Sequence, residues 1–181
     1  MTMYDYANLG GRVFASHWHN YWLENAPQPW PTIATFRANK GDGAPGNVTA
    51  LVNEGFDRGM AFATWLLNVQ ASTVRDQLPI TEAKNTCTAV DASKADRWVY
   101  LSQTDGPGVQ DLQFTTPNDK DPTVRCGKVV FSDMHVSGSG HSDPGTPGYP
   151  SQCDTGPLSP QEKALAFIFF DIASCVGPIV N

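Results

Sequence analysis

Two short runs of the chain share one pattern of apolar and polar positions. In Gly10-Gly11-Arg12-Val13-Phe14-Ala15-Ser16-His17-Trp18-His19 a glycine stop leads into an almost continuous apolar run that closes on two histidines spaced i, i+2. In Cys126-Gly127-Lys128-Val129-Val130-Phe131-Ser132-Asp133-Met134-His135 the order returns: glycine, a basic residue, an apolar stretch with Phe, a serine and an i, i+2 polar pair. Apolar runs of this kind mark strands buried on both faces, as in parallel sheets. The pattern predicts strands over 12–17 and 128–133.

Around these runs the remaining elements are read from period and punctuation. Residues 1–9 read as the last turns of a helix closed at Gly10-Gly11, a start that suggests an N-terminally truncated fold. Residues 24–53 carry Pro27, Pro29, Pro31 and a Gly/Pro cluster over 41–46, and read as a long loop. Phe56, Met60, Phe62, Ala63, Leu66 and Leu67 form a helical stripe over 55–70. Residues 71–95 give no clear pattern. The runs 97–101 and 109–114 read as a small β-hairpin joined by a Gly-Pro-Gly turn. A second long loop covers 136–157. Ser159, Pro160 and Glu162 then supply a capping box for a helix to about Cys175, with Leu165, Ile168, Ile172 and Phe169 turned to the sheet. The expectation is one α/β domain over residues 1–181 with a parallel core.

Composition narrows the partners. The chain has 181 residues, 40% hydrophobic and 17% charged, with a formal charge of −6, so it is long enough for a real core. It has no basic cluster to neutralise phosphates, which argues against nucleic acid and against an anionic membrane surface. The most apolar stretch, 164–180, is interrupted by Asp171 and Gly177-Pro178, so no membrane span is expected. The first residues lack the basic and apolar regions of a signal peptide. Four cysteines (Cys87, Cys126, Cys153, Cys175) lack CxxC spacing; one or two disulfides and buried thiols both remain open. Asp105, Asp111, Asp119 and Asp121 read as a solvated acidic surface.

The candidate chemistry lies at the ends of the two strands. Side chains two apart on a strand share a face at roughly 7 Å, and neighbouring strands lie about 4.8 Å apart. If the two runs pair in parallel, His17, His19, Asp133 and His135 converge at one sheet edge. Neutral imidazoles bind zinc at about 2.0–2.1 Å, and three of them leave a position for water. His17, His19 and His135 are the expected ligands of zinc or another divalent transition metal. Asp133 is a fourth ligand, a partner that orients a ligand, or a base; His141, in its loop, is a second catalytic candidate. The competing reading packs the histidines among Trp18, Tyr21 and Trp22.

The runs GGRVFASHWHNYWL, CGKVVFSDMHV and LSPQEKALAFIFFDIASCV resemble the C-terminal half of a family of exported bacterial proteins of unassigned function. That family is akin to ThuA-like and class I glutamine-amidotransferase-like domains. The resemblance implies a parallel-sheet, flavodoxin-like three-layer fold with its leading strands missing. It also implies a site at the C-terminal strand ends and a periplasmic or extracellular parent. The amidotransferase nucleophile, a Cys on a strand-to-helix elbow, is absent. Missing strands leave an open edge, so a homodimer is expected.

A metal with an open position lowers the pKa of bound water to about 7 and yields a hydroxide nucleophile. Arg12 and Lys128 sit at the far ends of the strands, and no arginine clamp or phosphate loop is present. The expected activity is therefore that of a zinc hydrolase acting on neutral activated esters or phosphotriesters (a phosphotriesterase or esterase type). Trp18, Tyr21 and Trp22 would bind the small-molecule substrate. The alternative is a non-catalytic amidotransferase-like module that binds sugar or peptide. A Ser-His-Asp set built on Ser16 or Ser132 lacks the G-x-S-x-G elbow.

Overall fold

The computed structural model describes residues 2–38, 45–102, 108–134 and 157–174. His135, His141, Cys153, Cys175, Asp105 and the loop 136–156 therefore lie outside the described residues. The element order is α1 (Met3–Asn8), β1 (Arg12–Ser16), α2 (Asn20–Glu24), β2 (Ala34–Phe36), β3 (Gly46–Val52), α3 (Asp57–Asn68), β4 (Gln77–Ala83), β5 (Cys87–Val90), β6 (Asp96–Tyr100), β7 (Val109–Thr116), β8 (Gly127–Ser132) and α4 (Pro160–Ala173). Short 3-10 turns cover His17–His19, Trp30–Thr32 and Pro122–Val124.

Six strands form one sheet in the order β1-β8-β7-β6-β3-β4. The expected meeting of the two similar runs is observed: β1 and β8 pair in parallel, with Arg12 opposite Lys128 and Ser16 opposite Ser132. The parallel core expected beyond that pair is not. Every other pairing in this sheet is antiparallel, so the chain is a mixed α/β protein with a mostly antiparallel sheet. Short links that suit antiparallel neighbours join β6 to β7 and β7 to β8, whereas β3 and β4 are antiparallel although α3 lies between them. The edge strands are β1 and β4.

The glycines that open both motifs have a steric cause. A Cβ at Gly127 would lie 2.0 Å from the Ala7 carbonyl oxygen, so α1 can lie against the start of β8 only over a glycine. Gly10 has φ +103, the left-handed stop that turns the chain from α1 into β1. Helix α1 carries its own capping box at Thr2.

The sheet is covered on both faces. On one face α3 and α4 bury Phe62, Ala63, Leu66, Ile168 and Ile172 against Val130, Val52 and Trp98. The expected cap of α4 is present: Ser159 Oγ accepts from Glu162 N–H, and the Glu162 carboxylate accepts from Ser159 N–H. On the other face α1, α2 and the small antiparallel ribbon β2–β5 cover Val13, Leu112, Phe114, Val129 and Phe131. Trp30 fills the centre of this second core, its ring 5.1 Å from Tyr4 and 5.2 Å from Phe114. The expected loop 24–53 thus contains β2, β3 and a core tryptophan, and the unreadable stretch 71–95 supplies β4 and β5.

Among the described residues no helix is long and apolar enough to cross a membrane. Cys87 is buried; Cys126 is exposed and carries no disulfide.

Candidate functional site

The C-terminal tips of β1 and β8 sit side by side, because Ser16 and Ser132 are register partners and His17 and Asp133 follow them directly. The two strands then behave differently. At His17 the backbone takes φ +47 and leaves the strand for a 3-10 turn. The i, i+2 argument for His17 and His19 therefore fails, since it needs extended backbone through His19.

The turn gives His19 a different partner. Its Nδ1 accepts the Ser16 backbone N–H at 3.2 Å, which satisfies a donor left open at the strand end. A neutral imidazole that accepts at Nδ1 carries its proton on Nε2. In this conformation neither nitrogen offers a free lone pair, so metal binding by His19 requires release of Ser16 N–H. The His19 ring is exposed, and such a swing has room.

Asp133 continues in line with β8 and is fully buried. Cys87 N–H donates to its Oδ2 at 3.1 Å, and Thr86 adds bonds from its hydroxyl and backbone. The carboxylate thus ties β5 of the two-stranded ribbon to the end of β8. Its Oδ1 has no hydrogen-bond partner. Burial is the main influence on its protonation and raises its pKa to about 6, against the lowering effect of the Cys87 and Thr86 bonds. No group of three or more His, Cys, Asp or Glu placed to hold an ion occurs among the described residues. His135 and His141 lie outside them.

This raised value has a measurable consequence. The folded state holds the Asp133 proton more tightly than an unfolded chain with a value near 3.8. Stability from this group is therefore greatest below pH 4 or so. It falls as pH climbs to about 6, by up to roughly 3 kcal/mol. Asp133→Asn keeps an acceptor for Cys87 N–H and should flatten this slope while gaining stability at pH 7. Urea unfolding from pH 4 to 7 checks it, and an unchanged slope in the variant would count against the assignment.

The aromatic residues beside the tips are not packed as core. Trp18 is 71% exposed, Tyr21 59% and Trp22 54%. Tyr21 and Trp22 meet edge to face at 5.6 Å. Helix α2 buries only Asn20 and Leu23, so the ring-bearing positions beside them are left to solvent. Three large aromatics exposed within five residues form a patch of the kind that marks a contact site.

One buried acid escaped the sequence reading. Asp111, expected on the solvated surface, sits inside β7 opposite Ser132 and is fully buried. The neighbouring Ser132 hydroxyl donates to the Gln110 carbonyl at 3.3 Å rather than to this carboxyl, and burial drives the Asp111 pKa well above the usual range against the lowering effect of Ser132. The Gln-Asp-Leu-Gln spelling of 110–113 hides it, because alternating polar residues normally mark a solvated face. Asp121 behaves as expected: it is exposed and caps the turn at Thr123.

Comparison with protein-family models, with curated proteins and with solved structures finds no match to this chain.

Proposed function

We propose that the tip of β1 is a binding surface for a neutral saccharide, with Trp18, Tyr21 and Trp22 as the stacking platform. The observation that carries this reading is the exposure of all three rings together at the strand end. Trp and Tyr present a flat apolar face with a polar edge, which suits a sugar ring that has one C–H face and a rim of hydroxyls. The cations that open the two strands, Arg12 and Lys128, lie at the other end. A neutral ligand fits that charge pattern better than an anionic one.

A second reading is the zinc hydrolase of neutral esters or phosphotriesters, and one observation favours it. Asp133 combines a pKa of about 6 with a buried, unpartnered Oδ1, a combination typical of groups that take up or release a proton near neutral pH. In that reading His17, His19 and His135 would hold the ion, His141 is the second catalytic candidate, and Asp133 would orient or deprotonate water. A bound zinc would supply water acidified to about pKa 7. We read the parallel β1–β8 pair with α4 as the part of the chain akin to a ThuA-like, flavodoxin-like core.

One experiment separates the readings. Titration with neutral oligosaccharides should give binding that Trp18→Ala and Trp22→Ala each weaken at least tenfold, about 1.4 kcal/mol, and that chelator leaves unchanged. Turnover of an aryl ester, lost on chelation and in His19→Ala, would instead support the hydrolase. Absence of saccharide binding to the wild-type protein overturns the first reading.

A further inference from the structure

The other end of β8 holds a second site. Lys128 lies four residues before Ser132, roughly 13 Å along the strand from the aromatic tip. It borders a cleft of about 300 Å³ whose wall includes four cations, Arg58, Lys94, Arg125 and Lys128. Two carboxylates, Asp96 and Asp171, share that wall. The excess of positive charge is notable in a chain whose formal charge is −6.

Two of the cations are fixed. Lys128 Nζ donates to Asp171 Oδ2 at 2.9 Å and to the Asp171 carbonyl at 2.8 Å. Arg58 pairs with the same carboxylate and donates to Ser174 Oγ at 3.0 Å. Asp171 therefore answers two cations with one negative charge. Lys94 is paired with Asp91 at 2.7 Å. Arg125 uses its Nε on the Lys120 carbonyl at 2.7 Å.

The cleft wall also contains two donors without acceptors. Gln113 is 4% exposed and Trp98 1% exposed, and both border the cleft. Gln113 Nε2 and Trp98 Nε1 have no hydrogen-bond partner. A buried donor left unmade costs about 1–3 kcal/mol, so two at one cleft mark a place where an acceptor belongs. An adjoining space of about 380 Å³ shares Ala92, Ala95 and Asp96 with the cleft and gives room for the body of a ligand.

We propose that this cleft binds the oxyanion end, phosphate or carboxylate, of a small polar ligand. Gln113 Nε2 and Trp98 Nε1 donate to its oxygens, and Lys128, Arg58 and Arg125 supply the field. Charge-assisted bonds of this kind are about twice as strong as neutral ones. Asp96 opposes the anion least when protonated, and burial together with the charge of Asp171 holds its carboxyl above the usual range.

Calorimetric titration of the full chain with inorganic phosphate and with acetate, at low ionic strength, tests this. At least one of the two should bind, and the stronger identifies the oxyanion. Gln113→Met, Trp98→Phe and Arg125→Ala should each weaken binding about tenfold. Arg125 lies at the surface end of the cleft, so its variant keeps the test valid if a core variant fails to fold. No binding of either anion to the wild-type protein overturns the proposal, as does binding that Arg125→Ala and the folded donor variants leave unchanged. Trp18→Ala should leave anion binding intact, so failure here and failure of the saccharide reading are separable.

Discussion

Replacing Asp171 by alanine should cost about 3–5 kcal/mol of stability, because it strands charge that the fold has already taken out of water. The side chains of Lys128 and Asp171 are each 6% exposed, and Arg58 leans on the same carboxylate. The ion pair sits at the C-terminal end of α4 and joins that helix to β8 and to the start of α3. Removing its acid leaves the Lys128 ammonium buried beside a guanidinium, with Asp96 the remaining carboxyl near them. Burial already pulls the Lys128 pKa down, against the raising effect of Asp171; without the acid that depression should deepen. Urea unfolding of Asp171→Ala measures the loss. The double variant Asp171→Ala, Lys128→Met should recover part of it, since a hydrophobic replacement of a buried pair is often close to neutral. A loss under 1 kcal/mol in the single variant would mean that water reaches the pair.

The second large effect concerns Trp30. Its burial, with Tyr4 and Phe114 against its ring, makes it the keystone of the face covered by α1 and β2. Trp30→Ala should cost about 3–5 kcal/mol, the range for truncating a buried aromatic, and should leave saccharide binding at Trp18 and Trp22 intact once the protein is folded. Trp30→Phe should cost far less. Denaturation of the two variants side by side checks this, and equal losses would contradict the packing account.

These residues also explain what the sequence made legible. The β1–β8 pairing was readable because both runs repeat glycine, cation, apolar stretch and serine, and buried neighbours need matched apolar lengths. The helix α4 was readable because Ser159, Pro160 and Glu162 declare its first turn locally. The hairpin β6–β7 declared itself by its turn. What failed were features decided by tertiary context. His17 and His19 share a strand spacing, yet one left-handed residue converts the run into a turn. Strand β4 carries Pro79, and its burial does not alternate cleanly, so no period announces it. In β7 the polar Gln110, Asp111 and Gln113 lie under covers contributed by distant parts of the chain. The anion cleft was invisible for the same reason: Arg58, Gln113, Arg125, Lys128 and Asp171 come from α3, β7, the turn before β8, β8 and α4.

In the proposed function, ligand is met at the exposed aromatic tip of β1. The chain has five tryptophans, and each indole N–H gives one amide-type proton–nitrogen signal. Titration with the neutral oligosaccharide that binds should move the signals of Trp18 and Trp22 and leave those of Trp30 and Trp98 in place, in the presence of chelator as in its absence. Shifts at Trp98 without shifts at Trp18 or Trp22 would contradict it.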